Sequence, residues 1–140
     1  MNQELALLDT SIWIHYLRSD GQQKLKTAVK RALIEGRVLS CSVVKTEILV
    51  GSRDEKSFAK LSEHLEAVPD IPIDGTVWEG AARLGYTLRK KGITIPLPDL
   101  LIAEAAMQRE AVLWHVDNHF EELCTIVPLR TRSFLPLSSG

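Results

Sequence analysis

The chain has 140 residues and a formal net charge of −1, and 45% of its residues are hydrophobic and 25% charged. This length and balance predict one globular domain with its own core, without a biased tract or internal repeat. Two cysteines are too few for a disulfide framework or a zinc knuckle. No apolar run reaches transmembrane length and no basic leader precedes the first one, so we expect a cytoplasmic protein that is not bound to a membrane.

The first half of the chain alternates short apolar segments with segments of helical periodicity. The apolar run 5–8 predicts a buried strand, and the polar residues Asp9, Thr10 and Ser11 that follow are N-cap candidates for a helix. This helix ends before Gly21. The next predicted elements are a helix, a second strand, a third helix and an amphipathic helix: residues 24–35, 37–42, 43–51 and 54–68.

The second half of the chain repeats this alternation. Its predicted elements are an extended piece, a long helix, a helix preceded by proline, a third strand, a brief helix and a fourth strand: residues 70–73, 75–91, 99–109, 111–116, 118–123 and 125–129. Strands that alternate with helices predict an α/β fold, in which helices flank a central parallel sheet of four to five strands. Residues 132–140 are predicted to be a C-terminal tail.

Four acidic residues lie within or against apolar segments, where carboxylates are rare unless they are paired or bind a metal: Asp9, Glu47, Asp99 and Asp117. Asp9 and Asp117 follow strands, Asp99 opens a helix, and Glu47 lies in the helix that leaves the second strand. Because the carboxyl ends of parallel strands share one edge of the sheet, this order predicts that the four side chains meet there. Gathered carboxylates are the hard oxygen ligands that Mg²⁺ or Mn²⁺ prefers.

Helix capping is the alternative explanation for the three aspartates, because Asp is common at helix starts. Glu47 argues against it. Its neighbours three and four residues away include Val43, Val44 and Val50 but no Lys or Arg. We therefore expect Glu47 to face the core, where an unpaired carboxylate costs several kcal/mol, and we favour a metal site over a set of caps.

The segments that carry these acids resemble the PIN-domain nucleases, in particular the VapC-type toxins of bacterial toxin–antitoxin pairs. The likeness lies in four stretches and extends from Leu5 to about Val127: residues 7–13, 42–51, 98–105 and 116–120. It implies a PIN-like three-layer fold, with a single nuclease domain over residues 1–131 and a tail over 132–140.

The resemblance also implies an activity, which is Mg²⁺-dependent endoribonuclease cleavage of RNA by a metal-activated water, with Mn²⁺ as the other candidate ion. Asp9 and Asp99 would be direct ligands, while Glu47 and Asp117 would bind through waters or hold a second ion. The hydroxyls that would support the site belong to Thr10 and Ser11. An alternative is a catalytically weak or silent PIN-like module that binds RNA or a protein partner.

One position departs from the family pattern and favours that alternative. The family usually has Thr or Ser two residues before its last acid, where this chain has His115. His115 would support the site as neutral imidazole, and would weaken metal binding when protonated. A zinc site built on His115 and His119 is not favoured, because Asp117 between them ends a strand and breaks the one-face geometry of a helical pair.

The binding partners are implied mostly by the resemblance. It implies a small cognate antitoxin that lies along the groove by the acids, and it implies that the protein forms a homodimer. We expect apolar positions around Trp13, Ile14, Leu17 and the helix 43–50 to be exposed and to receive a partner helix.

The RNA substrate requires a basic rim, because a site lined by acids repels a polyanion. The candidates are Lys45 and a cluster near the end of the long helix, Arg89, Lys90 and Lys91, with Arg130 and Arg132 near the end of the chain.

Overall fold

The computed structural model describes residues 4–135. Within them, four short strands alternate with seven helices. The strands are β1 Ala6–Leu8, β2 Val38–Leu39, β3 Val112–His115 and β4 Thr131–Ser133. The helices are α1 Thr10–Leu17, α2 Gln23–Ile34, α3 Ser42–Val50, α4 Glu55–Glu66, α5 Gly75–Lys90, α6 Leu97–Gln108 and α7 Asn118–Cys124.

The strands form one parallel sheet in the order β2-β1-β3-β4. This confirms the predicted α/β fold with a parallel sheet flanked by helices. All residues of β1, β2 and β3 are buried, as expected of parallel strands that are covered on their faces. In the register of the sheet, Leu8 lies opposite Trp114 and Trp114 lies opposite Arg132. The carboxyl ends of β1 and β3 therefore lie side by side.

The fourth strand is not where the sequence predicted it. Residues 125–129 form a turn and an irregular segment after α7, and the strand begins at Thr131. Pro128 has no N–H to donate to a sheet. Phe134 is buried, with its ring centroid 5.5 Å from that of Trp114. The ordered fold thus continues beyond residue 131 into the segment predicted as a tail, whose residues 136–140 lie outside the described part.

Two glycines let α5 and α6 pack closely. A Cβ atom added at Gly80 would collide with the side chain of Glu104, and one added at Gly85 would lie 2.8 Å from a methyl carbon of Leu100. Because Leu100 follows Asp99, this close contact determines where the first turn of α6 lies. In residues 4–135, none of the helices has the length and apolarity that a membrane span requires.

Candidate metal site

Asp9 lies at the carboxyl end of β1 and is only 5% exposed. Its N–H donates to the carbonyl of Trp114 at 3.0 Å, which joins the end of β1 to β3. Its carboxylate accepts from the N–H of Ser11 at 3.1 Å and from the Ser11 hydroxyl at 2.6 Å, and so caps α1. Asp9 can therefore cap α1 and also belong to the metal site.

Ser11 links the two strand ends. Its hydroxyl donates to Asp9 and also accepts from the N–H of Val116 at 3.3 Å, just after β3. Burial raises the pKa of Asp9, while the hydrogen bonds from Ser11 oppose that rise.

Asp99, Asp117 and His119 form a compact cluster, in which one ligand atom from each lies within 4.8 Å of the others. The Nδ1 atom of His119 is 3.2 Å from Asp99 Oδ2 and 3.4 Å from Asp117 Oδ1. Asp117 caps α7 by accepting from the N–H of His119 at 2.8 Å. This cap places the His119 ring beside both carboxylates.

Electrostatic coupling joins Asp9 to this cluster. Burial, opposed by the hydrogen bond of His119 and assisted by the negative charges of Asp9 and Asp117, raises the pKa of Asp99 to about 6. The charge of Asp117 likewise raises the pKa of Asp9. The structure therefore places Asp99 and Asp117 in one cluster, and the charge of Asp9 acts on it, which makes it costly for all three carboxylates to be ionised.

The prediction for Glu47 is wrong in its placement. Glu47 is exposed, and its Oε1 accepts from the hydroxyl of Thr10 at 2.6 Å. The buried residues of α3 are Val44 and Ile48, whereas Val50 is 80% exposed. Glu47 therefore lies off the buried stripe and reaches α1 beside Asp9. The burial of Glu47 therefore gives no support for a metal, whereas Asp9 is buried and Asp99 is half-buried.

His115 supports the turn that carries Asp117. Its side chain is fully buried, and its Nδ1 accepts from the N–H of Asp117 at 3.0 Å. Its Nε2 lies 3.0 Å from Glu121 Oε1, without the alignment of a hydrogen bond. Burial lowers the pKa of His115, so the ring is neutral and carries its proton on Nε2. His115 therefore stabilises the backbone at Asp117, and its ring nitrogens face that N–H and Glu121, not the carboxylates of Asp9 and Asp99.

His119 was not predicted to join the acidic cluster, and its only predicted alternative role was as a zinc partner of His115. The local sequence could have indicated this position of His119. A histidine two residues after an N-capping aspartate lies in the first turn of the helix, where its side chain can lie near the capping carboxylate. The donor set of two carboxylates and one imidazole, with the charge of Asp9 acting on it, fits a divalent cation, which would relieve the repulsion among the acids.

The structure does not support Lys45 as a free basic contact. Its ammonium group lies 2.8 Å from Asp70 Oδ1 and donates to the carbonyl of Val68 at 3.2 Å. Lys45 instead holds α3 against the segment that follows α4.

The basic cluster at the end of α5 is exposed, as predicted. Arg89 and Lys90 line a groove of about 610 Å³ together with Leu97 and Leu100, and Lys91 follows them. Leu97 and Leu100 lie in the first turn of α6, the turn that also carries Asp99.

The apolar surface predicted around α1 is present in part. Trp13 is buried, contrary to the prediction, because it packs into the core next to Tyr16. Ile14 and Leu17 are each 48% exposed.

Known proteins with similar sequences belong to one family. The family model described as PIN domain matches residues 6–126. Ribonuclease VapC11 from Mycobacterium tuberculosis is 30% identical over 134 residues, which cover 93% of this chain and 99% of that protein. Ribonuclease VapC18 from the same organism is 23% identical over 133 residues, covering 92% of this chain and 94% of that protein.

A solved structure of VapBC2 from Rickettsia felis, bound to a DNA fragment from its promoter, superposes with a TM-score of 0.77 at 21% identity. The match covers 93% of this chain and 98% of that one. VapC20 from Mycobacterium tuberculosis, a toxin that cleaves the sarcin–ricin loop, superposes with a TM-score of 0.64 at 16% identity, covering 89% and 98%. Both likenesses concern the fold.

Proposed function

Because the chain belongs to the PIN-domain family, we propose that it is a metal-dependent endoribonuclease, the toxin of a type II toxin–antitoxin pair. The proposal rests on the cluster of Asp99, Asp117 and His119 between the start of α6 and the end of β3, beside the buried and mutually repelling charge of Asp9. The ribonuclease names of its relatives support the same activity. Residues 4–135 would form a single nuclease domain acting on RNA in the cytoplasm.

The residues proposed to hold the cation are Asp9, Asp99 and Asp117, with His119 as a nitrogen ligand, and the ion is Mg²⁺ or Mn²⁺. When bound, it lowers the pKa of a water and stabilises the charge on the phosphate during in-line attack.

The surrounding residues hold this arrangement in place. Ser11 fixes the carboxylate of Asp9, and His115 fixes the backbone of Asp117. Glu47, held by Thr10, faces solvent beside the site, where its carboxylate can accept a proton from water.

The test of this function is turnover by the purified protein on a panel of structured RNAs. We expect cleavage with Mg²⁺ or Mn²⁺, none in excess chelator, and recovery when the metal is restored. Cleavage that persists in chelator would contradict the metal-dependent mechanism. RNA binding without turnover in either metal would instead favour the silent RNA-binding module.

Substitution of His119 tests its role as a ligand. Imidazole nitrogen favours Mn²⁺ over Mg²⁺ more than a carboxylate oxygen does. We therefore expect His119→Gln to weaken Mn²⁺ binding roughly 10-fold and Mg²⁺ binding less, as measured by calorimetry. His64→Gln, an exposed change on α4, is the control. An unchanged ratio of the two affinities would show that His119 does not bind the ion.

We also propose that a small cognate antitoxin covers the groove beside the acids and that the protein forms a homodimer. Ile14 and Leu17 on α1 give the antitoxin an exposed apolar contact, and α1 packs on α3, the helix that carries Glu47. The R. felis relative was solved as a complex named VapBC. The proposed RNA contacts at the rim are Arg89, Lys90 and Lys91.

A further inference from the structure

A second basic surface lies on helix α2 and strand β4, outside the cluster of acids. A cavity of about 380 Å³ opens there, and four of its lining residues are basic: Lys24, Arg31, Arg37 and Arg132. The remaining lining residues are Gln23, Thr27 and Ala28, so no carboxylate lines the cavity. We call these four residues the α2–β4 basic surface.

Helix α2 has an unusual charge composition for this chain. It carries four basic residues, Lys24, Lys26, Lys30 and Arg31, and no acidic one, in a chain whose net charge is −1. An adjoining cavity of about 600 Å³ on the side of α1 is lined by Lys26, Lys30 and Arg31. The basic residues of α2 therefore line two neighbouring cavities that share Arg31.

Most of this charge is not neutralised within the fold. Glu35 pairs with Arg37 at 2.8 Å. Over residues 4–135, no carboxylate lies within ion-pair distance of Lys24, Arg31 or Arg132. Burial and the nearby charge of Arg37 lower the pKa of Arg132. Cations gathered in this way repel one another, and an anion would relieve that repulsion.

Arg132 packs against two aromatic rings. Its guanidinium carbon lies 4.6 Å from the ring centroid of Trp114 and 4.7 Å from that of Phe134, and both rings are buried. A guanidinium group that packs on aromatic rings can still donate its N–H groups to a phosphate. This arrangement distinguishes Arg132 from an ordinary solvated surface arginine.

We propose that the α2–β4 basic surface binds backbone phosphates of the RNA substrate at a distance from the scissile bond. Arg132 lies opposite Trp114, and Trp114 opposite Leu8, next to Asp9. Two strand spacings, about 10 Å, thus separate Arg132 from the strand that leads to the acids. An acid-lined site supplies no affinity for a polyanion, so such a surface can supply it. The inference rests on the proposed ribonuclease function.

The test is the double charge reversal Lys24→Glu/Arg31→Glu, which changes two exposed side chains on α2 and leaves the acids intact. The control, Lys56→Glu/Lys60→Glu, makes the same change of charge on exposed positions of α4. RNA binding is measured by fluorescence anisotropy in chelator across a salt titration, after circular dichroism has shown that each variant is folded. Arg132→Gln, which removes the stacked charge, is a second and independent variant.

We expect the α2 variant to bind RNA at least 10-fold more weakly than the control, and its slope of log affinity against log salt to be shallower by about one to two. Arg132→Gln should also weaken binding. Equal affinity and slope in the α2 variant and the control would overturn the proposal. The proposal would also be overturned if the α2 variant lost affinity for inorganic phosphate or for the antitoxin but kept its affinity for RNA.

Cleavage of a short RNA in Mg²⁺ or Mn²⁺ separates this inference from the proposed function. If the α2 variant cleaves a short RNA like the wild type but binds long RNA weakly, both proposals stand. If the wild type cleaves no RNA while the α2 variant still loses RNA affinity, the nuclease function fails and the binding surface remains.

Discussion

Asp99→Asn should abolish RNA cleavage and at the same time make the metal-free protein more stable at neutral pH. Cleavage is lost because the substitution removes a proposed metal ligand. Stability rises because Asp99 is held ionised in a half-buried position beside the charges of Asp9 and Asp117. An amide in its place has no charge to desolvate and can still accept a hydrogen bond from His119.

The sign of the pH dependence follows from the raised pKa. Asp99 has a pKa of about 6 in the folded protein against an ordinary value of 3.8. Well below pH 3.8 both states are protonated and the residue costs no stability. As pH rises from about 3 through 6, the unfolded state ionises more easily, so the native state loses stability. The cost at pH 7.5 is about 1–3 kcal/mol, which Asp99→Asn should recover.

Urea unfolding in chelator at pH 7.5 and at about pH 3 measures this effect. The variant should be more stable than the wild type at pH 7.5, and the difference in stability should disappear near pH 3. Asp54→Asn is the control of opposite sign, because the N–H of Ser57 lowers the pKa of that exposed capping residue. Added Mg²⁺ or Mn²⁺ should stabilise only the protein that retains Asp99. A variant less stable than the wild type at pH 7.5 would contradict the repulsion that the site requires.

Ser11→Ala should reduce cleavage by about 10- to 100-fold without unfolding the protein. The Ser11 hydroxyl holds the carboxylate of Asp9 at 2.6 Å and receives the N–H of Val116. The cap of α1 survives the substitution, because Asp9 still accepts from the backbone N–H of residue 11. Cleavage is therefore reduced because the Asp9 carboxylate is less well positioned, and not because α1 is less stable.

The pH profile distinguishes this positioning role from a general loss of fold. The Ser11 hydrogen bond lowers the pKa of Asp9, so its removal raises that pKa, and the acid limb of the cleavage rate should move to higher pH. Ser11→Thr keeps the hydroxyl and should restore most of the rate, while Ser62→Ala on α4 should have no effect. A wild-type rate and profile for Ser11→Ala would remove Ser11 from the site.

Local patterns in the sequence were sufficient for the fold. Apolar runs and helical periodicity predicted the parallel α/β sheet, which the structure confirms, because burial on both faces forces strands to be continuously apolar. The exception is β4. The segment 125–129 is as apolar as a strand, but Pro128 and the preceding turn place the paired residues at 131–133. The difference between these two segments lies in pairing with β3, which no local pattern encodes.

The sequence also determined which strand ends carry acids, because Asp9 and Asp117 directly follow apolar runs and parallel strands share one carboxyl edge. Their roles as metal ligands stay predictions. Only the tertiary structure decided that Glu47 faces Thr10 and solvent, since the choice between neighbouring faces of α3 depends on how that helix packs against α1.

The same reason explains two contacts that the sequence did not predict. His119 joins the acids because α6 brings Asp99 within 3.2 Å of a residue 20 positions away in the chain. Arg132 joins α2 because register places it beside Trp114 on the face near that helix. Sequence periodicity reports which side chains are buried. Which polar side chains meet depends on contacts between distant segments, and those exist only once the helices have packed on the sheet.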